Sequence, residues 1–352
     1  MLRLLSSIAV VAVFCYAVSG QTPRRPPVLR GSDARTPSAA PNQNETVTQT
    51  QEVEEGGVLR VSTSLITVPA VVMDRNGRYI GNLRKEDFRI FEEGVEQPVT
   101  YFASVEKPFT VALLLDVSGS TQFQLSQIRD AANTFVGRLR MNDRLMAITF
   151  DGRTNVLTQP ETVSIIRHGK LHIPAVTDGT VLYDTVDFAL KRMAQIPGRK
   201  AIVLMTDGVD QDSHISMQAT LADIAEQDVL VYTVQYNTLP QLPERLSRIK
   251  DEKARRKVRE RLLKGYSESE PYLRALADKT GGRFYRADDL REVAPAFEAI
   301  TAELGVHYSL GYYSKNSASA NGDRAIKVKV RYPNLVVRTR DSFSPASVAR
   351  KD

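Results

Sequence analysis

Five consecutive apolar residues, Val111 to Leu115, run directly into Asp116-Val117-Ser118-Gly119-Ser120. An unbroken apolar run of this length predicts a strand covered on both faces, and such a strand needs a layer of other elements on each side. The chain beyond Ser120 supplies them. Leu125, Ile128, Ala132, Phe135, Val136 and Leu139 recur at helical spacing. Leu145 to Phe150 reads as the next strand, with Thr154 to Leu157 as a short edge strand. Leu182 to Met193 reads as a helix, Ala201 to Met205 as a buried strand, Ile215 to Ala225 as a helix and Val229 to Val234 as a strand. A helix around Tyr272 to Ala277 stops at Gly281-Gly282, where a glycine C-cap is expected, and Val293 to Leu304 is the last helix. Strands alternating with helices define an α/β fold with a doubly wound, mainly parallel sheet.

The flanks have another texture. Val58 to Thr63 alternates, Leu65 to Met73 is apolar and β-branched, and Asp74-Arg75-Asn76-Gly77 is a turn sequence. Phe88 to Phe91 and Val99 to Val105 alternate again, with Glu92-Glu93-Gly94 read as a turn. On the far side, Tyr308 to Tyr313, Ile326 to Val330 and Leu335 to Thr339 read as strands. Neither set has enough strands for two packed sheets. The expectation is one small β-sandwich made of 58–105 and 306–343, with the 108–304 domain inserted; two separate β appendages are the alternative.

The amino terminus reads as a leader. Arg3 precedes a mainly apolar run from Leu4 to Val18, and Val18-Ser19-Gly20 offers small residues for cleavage after Gly20. An uncleaved anchor is the alternative. The run is too short to span a bilayer comfortably. The single cysteine, Cys15, lies inside it, so a chain cleaved after Gly20 has neither thiol nor disulfide. Residues 21–57, rich in Pro, Ser, Thr, Asn and Gln, read as a disordered spacer. The expected location is secreted or periplasmic, with no transmembrane segment left after cleavage.

The net charge of +6 is spread among interleaved charges of both signs, which does not imply a nucleic-acid partner. Glu244 to Lys264 is the exception, almost wholly charged. It reads either as a solvated helical excursion between the Val229 strand and the next helix, or as a basic surface for an acidic partner or anionic lipid.

Chemistry concentrates in three places. Asp116, Ser118 and Ser120 are oxygen donors two residues apart at a strand's carboxyl end, where ligands bind in open α/β sheets. Asp178-Gly179-Thr180 precedes a helix and adds a hydroxyl; Thr206-Asp207-Gly208 follows a buried strand and adds a carboxylate. Such oxygen donors suit a hard cation. The simpler reading is that Ser118 or Ser120 caps the following helix.

Together, Asp116-x-Ser118-x-Ser120, Gly179-Thr180 and Thr206-Asp207-Gly208 resemble the metal-ion-dependent adhesion site of von Willebrand factor type A domains, over about 108–304. The resemblance implies a divalent cation, Mg²⁺ foremost with Mn²⁺ or Ca²⁺ as alternatives. It implies direct ligation by Ser118 and Ser120, direct or water-mediated ligation by Thr180, and indirect roles for Asp116 and Asp207. Leu83 to Phe88, Thr180 to Asp184 and Tyr308 to Tyr313 are also similar to bacterial proteins of this kind. The implied function is extracytoplasmic protein binding, as an adhesion or scaffolding module that docks a partner's Asp or Glu through the cation. The alternatives are a subunit of a chelatase-like or envelope maturation complex, and a structural domain whose metal site is unused. No oligomeric state is specified.

No enzyme signature is present: Ser118 is outside any G-x-S-x-G elbow, and there is no G-x-x-x-x-G-K-[ST] or H-E-x-x-H motif. His168, His172, His214 and His307 are scattered, and the His168/His172 spacing reads as incidental rather than as a metal pair.

Overall fold

The computed structural model describes residues 65–104, 107–120, 125–167, 171–174, 178–315 and 323–343. The leader with Cys15 and Gly20, the spacer, residues 58–64, Val105 and His168 lie outside them. Four strands come first: β1 (Leu65–Asp74), β2 (Phe88–Glu92), β3 (Val95–Gln97) and β4 (Tyr101–Ala103). The α/β domain runs β5 (Phe109–Asp116), α1 (Leu125–Arg138), β6 (Arg144–Phe150), β7 (Thr154–Thr162), α2 (Val163–Ile166), α3 (Leu182–Ala194), β8 (Arg199–Thr206) and α4 (Met217–Glu226). It continues through β9 (Leu230–Tyr236), α5 (Leu242–Ser247), α6 (Glu252–Thr280), β10 (Phe284–Ala287) and α7 (Val293–Leu304). The chain then adds β11 (Tyr308–Tyr313), β12 (Arg324–Val330), β13 (Leu335–Thr339) and β14 (Ser342–Phe343).

The central sheet has the order β10-β9-β8-β5-β6-β7, parallel except for β7. β5 lies in its middle, and every residue of β5 is buried. Val111, Leu113 and Leu115 join Phe135 of α1 and Phe297 of α7 in one core. Ala112 and Leu114 join Val186 and Leu190 of α3 and Tyr272 and Leu276 of α6 in the other. The run is apolar throughout because both faces of the pleat are covered, as a doubly wound sheet requires. Among the described residues no helix is long and apolar enough to cross a membrane.

The flanking strands interleave. One sheet has the order β13-β1-β11-β4 and the other β14-β12-β2-β3, so each takes strands from both ends of the chain. Val68, Ala70 and Val72 of β1, Ile90 of β2, Leu310 of β11 and Val328 of β12 share one core, which makes the pair a small sandwich. Tyr308 ties the two flanks together. Its hydroxyl accepts from the Leu83 amide and donates to the Ile80 carbonyl, both at 2.9 Å, and its ring packs 5.0 Å from that of Phe88.

Several local readings change. The strand read at Val99 to Val105 is confined to Tyr101–Ala103, and β3 forms an unforeseen hairpin with β2 through Glu93-Gly94, both at positive φ. Glu92 is not a turn residue: fully buried at the end of β2, it meets Arg324 at 2.7 Å. β7 is longer than read, and β10 is an unforeseen edge strand. The charged stretch and the helix at Tyr272 are not separate, since α6 is continuous over 29 residues and contains Pro271. Proline removes one helical hydrogen bond. The turns after it are held by Tyr272, Leu273, Leu276 and Ala277, all buried.

The sandwich is bolted to the α/β domain at Glu303, near the end of α7. Its buried carboxylate accepts from Tyr232 of β9 at 2.5 Å, from Tyr79 at 3.1 Å and from Arg338 of β13. Removing one member of a buried ion pair leaves the other charge uncompensated. Glu303→Ala is therefore expected to cost about 3–5 kcal/mol in urea denaturation, and a loss within the range of a surface substitution would refute that role.

His307, between α7 and β11, is fully buried with its ring edge-on to Phe109 at 5.6 Å. Burial first, and then the charges of Arg199 and Arg338, hold its pKa well below 6.5. The folded chain thus keeps the ring neutral while the unfolded chain takes up a proton below 6.5, so this contribution to stability is present above 6.5 and is lost as pH falls. Between about pH 7 and pH 5 the denaturation midpoint of His307→Phe should fall less than that of the parent; parallel curves would exclude the effect.

Candidate metal site

The site begins with strand order. β5 and β8 are parallel neighbours, with Leu115 opposite Met205, so Asp116 and Thr206 finish side by side. Thr206 Oγ1 donates to Asp116 Oδ2 at 2.6 Å and accepts from the Gly208 amide at 2.9 Å. Asp116 Oδ1 accepts from the Ser118 amide at 3.0 Å, which folds the next turn back over the strand end. This brings Ser118 Oγ within 3.0 Å of Ser120 Oγ.

Asp207 is held from three directions. Its Oδ1 accepts from the Val209 amide at 3.0 Å. Its Oδ2 accepts from Thr238 Oγ1 at 2.9 Å and from the Tyr266 hydroxyl at 3.2 Å. Tyr266 reaches it from α6, whose backbone also packs closely here: a Cβ on Gly265 would stand 2.7 Å from Val209 Cγ1.

The Thr180 loop joins by close packing. A Cβ on Gly119 would stand 3.4 Å from Asp178 Oδ1. Gly179 has φ +89°, and a Cβ there would stand 2.7 Å from Asp212 Oδ2 and 3.0 Å from Gly152 Cα, so glycine is required on both counts. The Thr180 carbonyl accepts from the amides of Gln211 and Asp212 at 2.9 and 3.1 Å, and its Oγ1 accepts from Gln211 Nε2 at 3.5 Å. Asp210 completes the clamp by accepting from the Leu182 amide, at the start of α3, at 2.9 Å.

Asp116, Ser118, Ser120, Thr180 and Asp207 are thus all buried, Asp116 at the carboxyl end of β5 and the others on the adjoining loops. Asp116, Ser118 and Ser120 are linked by hydrogen bonds. Asp207 couples to Asp116 by charge, and Thr180 enters through the packing of its loop. Burial first, and then the Asp207 charge, push the Asp116 carboxyl up from its ordinary range. Two buried carboxylates, that of Asp116 disfavoured in its ionised form, beside three hydroxyls, are a donor set suited to a hard cation. Among the described residues no group of three or more His, Cys, Asp or Glu forms an alternative metal site.

The residues missed by sequence reasoning are Thr238 and Tyr266. Neither lies in a motif. Tyr266 stands two positions beyond the charged stretch, and only the fold brings it to Asp207.

The fold and site define a doubly wound domain with a hydroxyl-and-carboxylate cradle at the carboxyl ends of its strands. Residues 111–209 match the family profile of the von Willebrand factor type A domain. Over those residues the chain is similar to the von Willebrand factor type A domain. No curated protein matches it in sequence. Among solved structures it is similar to a von Willebrand factor type A protein from Catenulispora acidiphila, with 11% identity over 71% of this chain and 70% of that one, at a TM-score of 0.43. It is similar to the conserved hypothetical protein BatB from Bacteroides thetaiotaomicron, with 18% identity over 56% of this chain and 97% of that one, at 0.39. Proximal thread matrix protein 1 from the mussel byssus, solved with a zinc-occupied MIDAS motif, shares 13% identity over 61% of this chain and 50% of that one, at 0.42. All three are distant likenesses, so the assignment rests on the family match and on the fold.

Thr206→Val tests the cradle itself. The variant leaves a buried Asp116 oxygen and the Gly208 amide each short of a partner, an expected cost of about 1–3 kcal/mol in chemical denaturation. An unchanged midpoint would show that the Asp116–Thr206 contact does not hold the site together.

Proposed function

We propose that the chain is an extracytoplasmic protein-binding module, for adhesion or scaffolding, that docks an Asp or Glu of its partner through a divalent cation. Ser118, Ser120 and Thr180 would hold the ion directly or through water, with Asp116 and Asp207 acting on it indirectly. A hard cation held by neutral hydroxyls keeps much of its positive charge and supplies a Lewis-acidic position for an incoming carboxylate. Mg²⁺ is the first candidate, then Mn²⁺ or Ca²⁺. The location follows from the leader read at residues 1–20, and the role is binding rather than catalysis.

One observation carries this reading. All four carboxylate oxygens of Asp116 and Asp207 already accept hydrogen bonds from the protein. Both carboxylates are thereby fixed in orientation, as residues that support a metal from behind its direct ligands commonly are. In this reading the hydroxyls are the direct ligands, and neutral ligands of that kind do not neutralise the ion. A partner carboxylate completes the charge balance in a partly dry site, where charge-assisted contacts are strong.

Titration calorimetry with Mg²⁺, Mn²⁺ and Ca²⁺ is the direct test. The intact protein should bind one ion, Ser118→Ala should abolish the signal, and Asp207→Ala should weaken it by about 10–100-fold, with circular dichroism unchanged in both. No heat with any of the ions, or unchanged affinity in both variants, would overturn the reading in favour of a domain whose site is unused.

A further inference from the structure

The metal cradle leaves one large feature unexplained, the amino-terminal half of α6. Residues Glu252 to Arg261 are exposed apart from the half-buried Arg255, and Leu262 is the first buried residue of the helix. The segment therefore projects from the domain as a helical arm. It stands on its own local chemistry. The Asp251 side chain caps the first turn by accepting from the Ala254 amide at 2.6 Å, and Glu, Lys, Ala and Arg are strong helix formers.

The charge of the molecule is concentrated there. Glu244 to Lys264 holds ten Lys and Arg against four Asp and Glu, a net of +6 that equals the net charge of the whole chain. The rest of the protein is balanced. A single-sign field from an otherwise neutral molecule selects partners by charge and raises their rate of encounter.

The arm is also joined to the cradle. Arg261 Nη2 donates to the Gln211 carbonyl at 2.5 Å, and Gln211 is the residue whose amide meets the Thr180 carbonyl. Tyr266, little more than one turn further along α6, donates to Asp207. The basic field therefore emerges beside the loops that carry the hydroxyls.

We propose that the arm of α6, residues 252–264, is a second binding surface next to the metal cradle that engages an acidic polypeptide segment flanking the partner's docking carboxylate. This rests on the reading of the cradle as a carboxylate-docking metal site, and it specifies the partner further: an acidic stretch rather than one isolated Asp or Glu. The arm's chemistry favours a peptide over a membrane surface. Interfacial helices present a broad apolar face opposite their basic one, whereas the exposed apolar residues here are Val258 and Leu263, with Lys and Arg on every side.

The experiment uses the full chain and a rhodamine-labelled decaglutamate peptide, read by fluorescence anisotropy at low and high salt, with Mg²⁺ or chelator. The arm variant carries Arg255→Glu, Arg256→Glu, Lys257→Glu and Arg259→Glu, all clear of the cradle. It should bind the peptide at least about tenfold more weakly at low salt and lose most of the salt dependence, while keeping the gain due to Mg²⁺. Ser118→Ala should show the converse, losing the Mg²⁺ gain and keeping the salt dependence. Unaltered binding by the arm variant overturns the proposal and leaves the metal reading intact. A parent whose binding is salt-dependent but indifferent to Mg²⁺, and is lost in the arm variant, supports the arm and overturns the metal reading. Arm-dependent binding to phosphatidylserine vesicles without arm-dependent binding to the peptide assigns the surface to lipid and overturns the proposal.

Discussion

Everything in this molecule depends on two distant stretches of chain arriving at the same sheets. β1 lies between β11 and β13, and β2 lies between β12 and β3, so neither sheet can be completed by one end alone. That requirement fixes where the inserted domain begins and ends: β5 must start, and α7 must finish, next to the sandwich. The buried carboxylate of Glu303 meets it by gathering a tyrosine from the central sheet, a tyrosine from the first flank and an arginine from the second. A charge this deep is tolerated because its partners are present from all three parts at once.

The site depends on the same logic at smaller scale. Its origin is the parallel register of β5 and β8, which places Asp116 beside Thr206 and lets one hydroxyl serve both the carboxylate and the following turn. The other loops are pressed onto this pair by positions that exclude a side chain, as at Gly179. The candidate groups thus sit on a braced frame although all but Asp116, the last residue of β5, lie on loops.

Much of this was legible in the sequence, for identifiable reasons. β5 showed because burial on both faces of the pleat gives it the unbroken apolar run Val111 to Leu115. The five candidate residues could be singled out because each lies in a short motif at a predicted strand end or helix start. The interleaved sandwich was legible because neither flank had strands enough alone. What was hidden is what neighbours decide. β3, β10 and β14 are two to four residues long and carry polar side chains; an adjacent strand makes them strands. The charged stretch and the helix at Tyr272 read as separate, yet the buried face after Pro271 keeps α6 continuous. Glu92 resembled a turn carboxylate because its partner, Arg324, is more than two hundred residues away. Tyr266 and Thr238 carry no pattern, since their role exists only in three dimensions.

The central position of β1 has a mechanical consequence. Its first part, Leu65 to Ala70, pairs with β11 and its second part, Ala70 to Asp74, with β13, both antiparallel. A pull on the amino-terminal end of β1 along the strand axis acts parallel to its neighbours. Its ladder bonds then share tension side by side, in shear, instead of opening one after another like a zip. The two ladders follow one another along β1, so its whole length is held although neither neighbour spans it alone.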